Sequence, residues 1–212
     1  MSHVLVLGAG GQIAQFAEQF MVEQDQQLTL FLRHPDNLER VTPDHEKVVT
    51  GDVTNADALN QAMVGQDIVY ANLAGSNIEQ QAKDVVTAMN HVGVKRLIWI
   101  STLGIYDEVP GAFGEWNHEM LDDGYLPTYT AAATVIETSG LDYTIIRPAW
   151  LQNEDEVSYE LTNKGEPFKG TEVSRKSIGA LVADIAAHPD QHVKASLGVN
   201  KPNTDGDKPS WY

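Results

Sequence analysis

Four apolar residues, Val4-Leu5-Val6-Leu7, run straight into Gly8-Ala9-Gly10-Gly11, and Ile13, Phe16, Ala17, Phe20 and Met21 follow at helical spacing. This order, strand, glycine turn, helix, restricts the chain more than anything else in it. Gly8 lets the backbone leave the strand sharply. Gly10 or Gly11 allows the main chain to approach a pyrophosphate without a Cβ in between. Gln12 and Ile13 open the helix, whose free N–H groups and positive end favour phosphate. The small Ala14 lets that helix lie close to the strand. The competing reading is a tight strand-to-helix turn with no ligand.

Composition narrows the classes. A chain of 212 residues is long enough for one domain, residues 1–212, with a sizeable core. It has no cysteine, which removes disulfides, thiolate metal sites and cysteine nucleophiles. The formal charge of −16 argues against nucleic acid as a ligand, since a phosphate backbone needs a basic footprint. No apolar run approaches a membrane span, and the first strand reads as core rather than as a signal peptide. The expectation is a cytoplasmic protein with neither a nucleic-acid nor a membrane partner. Glu115-Trp116-Asn117-His118-Glu119 holds ligand-type side chains, but its single histidine does not form a spaced set, so no metal site is expected. No Gly-x-Ser-x-Gly elbow is present.

Apolar runs recur at Gln27–Leu32, Lys47–Val49, Asp67–Ala71 and Lys95–Ile100. Helical faces lie between them at Ala58, Leu59, Ala62 and Met63, and at Ala82, Val85, Val86 and Met89. Strand and helix alternate, which predicts an α/β fold: a Rossmann-type doubly wound parallel sheet with helices on both faces. Ligands in such sheets sit at the carboxyl ends of the strands. Those ends are the glycine turn, Arg33, Asp52, the small-residue loop Leu73-Ala74-Gly75, and Ser101-Thr102-Leu103. Arg33, with His34 beside it, stands where an acidic residue would accept from a free ribose 2′-hydroxyl. A basic residue there suits a 2′-phosphate. NADP(H) is therefore the expected cofactor and NAD(H) the second choice; a merely solvated arginine is the alternative.

Two further segments carry a resemblance. Gly8-x-x-Gly11-x-x-Ala14 and Ser139-Gly140-Leu141-Asp142-Tyr143-Thr144-Ile145-Ile146-Arg147-Pro148 are similar to the turn and the late strand of the NmrA-like, NAD(P)H-binding atypical short-chain dehydrogenases. That group includes biliverdin/flavin reductase-like proteins and nitrogen-regulator-like sensors. The resemblance spans about residues 3–190 with Gly51-Asp52-Val53 and Val173-Ser174-Arg175. It implies that Asp52 and Val53 lie beside the adenine and that Pro148 and Ala149 pack near the nicotinamide. Asp52 or Thr54 could instead start the next helix, and Arg147 could instead pair with a carboxylate beneath the sheet.

Short-chain dehydrogenases also use a serine after the fifth strand and a Tyr-x-x-x-Lys pair. Ser101 and Thr102 are in place, but Tyr129 is followed by Thr130 and three alanines. Between Arg96 and Arg147 there is no lysine or arginine and there are eight acidic residues. A tyrosine without a nearby cation is a poor base at neutral pH. Carbonyl reduction by a Tyr-Lys pair is not expected, unless a lysine from the C-terminal region folds over the site. Two functions remain. One is a reductase passing hydride to a flavin- or quinone-like small-molecule acceptor, with Ser101, Thr102 or Tyr129 orienting it. The other is a non-catalytic redox sensor acting through a regulatory protein partner. Residues 151–212 should form a smaller C-terminal region over the substrate side. It should have a helix from Ser174, a strand from Ala195 to Val199 and a loose stretch from Lys201 to Pro209. Phe113, Trp116, Trp150 and Tyr106 are candidates for an aromatic lining or for core.

Overall fold

The computed structural model describes residues 2–212. The first half alternates as expected: β1 (His3–Leu7), α1 (Gln12–Glu23), β2 (Gln27–Leu32), β3 (Glu46–Thr50), α2 (Ala56–Met63), β4 (Ile68–Ala71), α3 (Ile78–Val92) and β5 (Arg96–Ile100). The second half supplies α4 (Gly111–Leu121), α5 (Tyr125–Glu137), β6 (Asp142–Pro148), β7 (Trp150–Gln152), β8 (Glu160–Asn163), β9 (Glu172–Ser174), α6 (Arg175–Ala187) and β10 (Ala195–Asn200). The main sheet has eight strands in the order β3-β2-β1-β4-β5-β6-β10-β8. All pairs in it are parallel except β10 with β8. This is the Rossmann-type arrangement, with its strand order reversing beside β1.

Strand periodicity explains why both faces are covered. Val4, Val6, Ile68, Tyr70, Ile98, Ile100 and Ile146 enter one core layer, whose helices are α1 and α6. Leu5, Leu7, Val69, Leu97, Trp99 and Ile145 enter the other, under α2, α3 and α5. Alternate residues of one strand point to opposite faces, so the central strands are apolar on both faces over most of their length, with Arg96, Thr144 and Arg147 as the buried polar exceptions in β5 and β6. Gly179 sets how closely α6 meets α1: a Cβ there would lie 2.6 Å from Phe16 Cβ and 2.8 Å from Ala17 N.

The last third is more integrated than a cover. β8, β10 and α6 belong to the main sheet and its first layer, while β7 and β9 form a separate parallel pair. Ser174 does cap α6, its side chain accepting from Ser177 N at 2.9 Å. Residues 201–210 are not loose. Thr171 donates to Thr204 O from its backbone N at 3.0 Å and from its hydroxyl at 2.8 Å. Ser210 donates from N and Oγ to the Glu172 carboxylate, at 2.7 and 3.1 Å. No helix among the described residues is long and apolar enough to cross a membrane.

Candidate functional site

The turn after β1 is held by its neighbours on both sides. Gly8 N donates to Phe31 O at 2.9 Å, Gly11 N to Gly8 O at 3.0 Å, and Asn72 N to Leu7 O at 2.9 Å. Gly8 sits at φ +76°, and a Cβ on it would lie 2.3 Å from Asn72 O. A Cβ on Gly11 would lie 2.1 Å from Asn72 Nδ2. So glycine is required here first by the loop after β4 and only then by any ligand. α1 begins at this turn with no side-chain hydrogen bond capping it; α3, α4 and α5 likewise lack one, whereas Asn55 and Ser174 cap α2 and α6. Its first N–H groups therefore face the turn without a side-chain partner, as an anion cradle requires.

A cavity of about 520 Å³ opens over this turn. Of the residues singled out from the sequence, it brings together Gly8, Gly10, Gly11, Arg33, Asp52, Val53, Leu73, Ala74 and Gly75. Sequence reasoning passed over Phe31, Asn37, Asn72, Asn77 and Gln81, which also line it, and offered Thr54 only as a helix start. Gln15 ties the turn to the loop beyond β2, donating to Gly10 O at 3.3 Å and Asn37 O at 3.4 Å and accepting from Glu39 N at 2.9 Å. Gln81 braces the loop after β4 through Ala74 O at 3.0 Å and Asn77 Oδ1 at 2.7 Å. The only advance signal for these amides was their nearness to the ends of strands.

At the far end, Arg33 Nη1 lies 3.9 Å from Asp52 Oδ2, with both side chains well exposed. An exposed pair at that distance is weak, so the guanidinium stays available to a second anion. Asp52 does not start the next helix, which Asn55 caps by accepting from Ala58 N at 3.1 Å. Its carboxylate instead accepts from Thr54 N at 2.9 Å and Thr54 Oγ1 at 2.8 Å. Those bonds, ahead of the Arg33 charge, hold its pKa below the ordinary carboxylate value.

The other predicted residues are not on this cavity. Ile13 packs into the first core layer. Gln12 faces a separate cavity of about 270 Å³ with Arg40 and Arg175. Ser101 and Thr102 are buried at the end of β5, and Pro148 and Ala149 at the end of β6. The two strand ends are knitted together: Ser101 N donates to Ile146 O at 2.7 Å and Leu103 N to Pro148 O at 3.2 Å. Ser101 Oγ is buried with no hydrogen-bond partner. Tyr129 is also enclosed. It is buried in the second core layer, stacked on Tyr125 at 4.3 Å, and burial raises its pKa. Like Ser101, it does not line this cavity.

Arg147 settles on its structural alternative. Its guanidinium is fully buried and pairs with Glu108, from the loop after β5. The same carboxylate accepts from Gly104 N at 3.0 Å and Tyr106 N at 2.9 Å. Arg147 Nε also donates to Ser196 Oγ at 3.0 Å. A C-terminal lysine does fold back: Lys164 Nζ lies 4.1 Å from the Tyr106 ring centre and 2.6 Å from Glu137. The Tyr106 hydroxyl donates to Glu137 at 2.8 Å, and burial raises its pKa, so this lysine does not create a phenolate. The aromatic candidates divide accordingly. Phe113, Trp116 and Trp150 form one cluster, with ring centres 6.1 and 4.7 Å apart. Tyr106 packs against the opposite core layer.

Comparison with known proteins agrees with this geometry. A family model described as NAD(P)H-binding matches residues 8–189. A Rossmann-fold NAD(P)-binding family protein from Shigella flexneri is 47% identical, with a TM-score of 0.85 over 99% of this chain and 98% of that one. A wide-type short-chain dehydrogenase/reductase from Veillonella parvula, solved in complex with NADP, is 29% identical, with a TM-score of 0.88 over 99% of each chain. ChuY from Escherichia coli O157:H7, described as an anaerobillin reductase, is 18% identical with a TM-score of 0.80, over 97% of this chain and 100% of that one. At that identity the likeness concerns the fold. No curated protein matches the chain.

Proposed function

Since the chain belongs to the NAD(P)H-binding family, we propose that it is an NADPH-dependent oxidoreductase that passes hydride to a flavin- or quinone-like acceptor without a Tyr-Lys dyad. The observation that carries this reading is the cavity over β1, β2 and β4, which runs from an uncapped helix start to an arginine free to take a second anion. Gly8, Gly10 and Gly11 keep side chains away from the pyrophosphate position, and the first turn of α1 presents N–H donors to it. Arg33 would meet the 2′-phosphate as a charge-assisted donor. Val53 and Asp52 would border the adenine. Ser101, Thr102, Pro148 and Ala149, at the neighbouring strand ends, would border the nicotinamide, and the region from 151 onward would cover the acceptor.

Bound NADPH supplies the hydride. An oxidised flavin or quinone takes that hydride and one proton from solvent, giving the dihydro form and NADP+. Solvent suffices as proton donor because the acceptor atoms of these rings protonate readily, so no side chain with a shifted pKa is needed. Ser101 Oγ is buried and unpartnered, and this hydroxyl would orient a ring at that edge.

The test is NADPH oxidation by the purified protein with FMN and with a quinone, followed at the nicotinamide absorbance. Turnover above the protein-free rate is expected. Tight dinucleotide binding with no turnover on either acceptor would overturn the reductase and leave the redox sensor acting through a protein partner.

A further inference from the structure

The aromatic cluster at the end of β6 is built, backed and partly covered. Trp150 follows Ala149 directly and begins β7, so it stands on the same edge as Ser101 and Pro148. Its indole Nε1 donates to the fully buried Asn117 Oδ1 at 3.0 Å, which fixes the ring plane. Trp116 meets it at 4.7 Å and is backed by Phe113 at an interplanar angle of 19°. Tyr212 lies over this pair edge-on: its ring centre is 5.0 Å from Trp116 at 63° and 5.5 Å from Trp150 at 82°.

Tyr212 is about half exposed, as is Trp211 beside it. A half-exposed phenol making two edge contacts is held far less firmly than a core ring. The backbone of this segment is anchored without the rings: Ser210 bonds to Glu172, and Tyr212 N donates to Pro209 O at 3.1 Å. Glu172 is also the register partner of Trp150 in the β7–β9 pair. The Tyr212 side chain can therefore swing away while the chain up to Ser210 stays fixed to the wall that carries Trp150.

We infer that Trp116 and Trp150 form a stacking subsite for a planar, electron-poor conjugated ring, and that the Tyr212 side chain occupies it until such a ring displaces it. Electron-rich indoles stack well on electron-poor rings, and aromatic pairs carry a preference beyond the area they bury. The acceptor class rests on the reductase reading, but the binding step does not need turnover and is measured without it.

Titrate FMN and menadione separately into the full chain, without NADPH, and follow binding by isothermal titration calorimetry. Tyr212→Ala should tighten binding of at least one probe by about three- to tenfold, since it removes an internal competitor worth one or two aromatic contacts. Trp116→Leu with Trp150→Leu should weaken binding at least tenfold while NADPH still binds. Unchanged affinity in Tyr212→Ala for both probes overturns the inference, as does wild-type affinity in the double variant or no binding of either probe. If the double variant loses NADPH binding and is misfolded, the Tyr212→Ala result decides alone. Binding that responds to Tyr212 without any turnover keeps the subsite and overturns the reductase. Turnover that ignores Tyr212 does the opposite.

Discussion

At the carboxyl ends of β1, β2 and β4 the chain leaves an open cavity walled by glycines and amides, whereas at the ends of β5 and β6 it ties the following loops together and buries them. The open part rests on backbone shape: a left-handed Gly8 and a Gly11 with no room for a Cβ beside Asn72. The closed part rests on a charge. Arg147 and Glu108, both buried, join β6 to the loop that leaves β5, and Glu108 also receives two backbone N–H groups of that loop. A cradle made of backbone is specified by a few neighbouring residues, while a wall made of a buried ion pair needs partners far apart in the chain.

The closed part should break hardest. Glu108→Ala leaves Arg147 charged and buried and frees the N–H groups of Gly104 and Tyr106. Removing one partner of a buried pair costs roughly 3–5 kcal/mol. Urea unfolding should show a loss of that size, and Glu108→Leu with Arg147→Met should recover most of it. A loss below about 1 kcal/mol would show that the pair is relaxed by solvent, and the contrast between the two parts would fall.

Gly8→Ala attacks the open part. An alanine at φ +76° is strained, and its Cβ would press on Asn72 O, which is backbone and cannot rotate away. Together these should cost roughly 2–4 kcal/mol and abolish dinucleotide binding. Gly65→Ala is the matched control: φ is +77° but nothing lies within 4 Å. It should cost only the conformational term, about 1 kcal/mol. Equal melting temperatures for the two variants would show that crowding by Asn72 plays no part.

α1 starts at the open cavity, yet its middle carries a buried acid. Glu18 is 3% exposed, one carboxylate oxygen has no partner, and its pKa is pushed up to about 8 by burial and then by Glu46. Tyr70 beneath it is also buried, its hydroxyl equally unpartnered. Between the ordinary carboxylate value of 4.5 and about 8 the folded chain keeps a proton that the unfolded chain has lost. The folded state then binds more protons, so stability falls as pH rises through that window and is level outside it. Glu18→Gln should remove this slope and raise stability at pH 7 by about 3 kcal/mol. Parallel pH profiles for the two proteins would show that the carboxyl titrates normally.

What could be read from the sequence follows the same division. Gly8 to Ala14, Arg33, Asp52 and Leu73 to Gly75 each lie at the end of a periodic apolar run, so locating the strand located the residue. The β7–β9 pair and the antiparallel β8 were not legible. Each is three or four residues long, and their signal is the pairing of Trp150 with Glu172 across the chain. Arg147 was left between two readings because its partner, Glu108, lies 39 positions away. Tyr129 stands out in the sequence only as the tyrosine of an incomplete Tyr-x-x-x-Lys pattern. Helical periodicity placed it on a buried face, and burial decides its chemistry. The stretch from Lys201 looked loose because its turns hide backbone groups that pair with Thr171 and Glu172.

The smallest effect concerns the exposed end of the open cavity. Arg33 is 70% exposed, so its contribution to binding is screened. Arg33→Asp should weaken NADPH about tenfold more than NADH, because only NADPH carries the 2′-phosphate. The new carboxylate would also stand beside Asp52, and that repulsion could weaken both nucleotides. Arg33→Gln separates the two effects, since it removes the donor charge without adding a negative one. If Gln at 33 still weakens NADPH selectively, the guanidinium itself recognises the phosphate. Equal losses for NADPH and NADH in both variants would remove Arg33 from that role and leave the cavity's preference to the backbone cradle at Gly8 to Gly11.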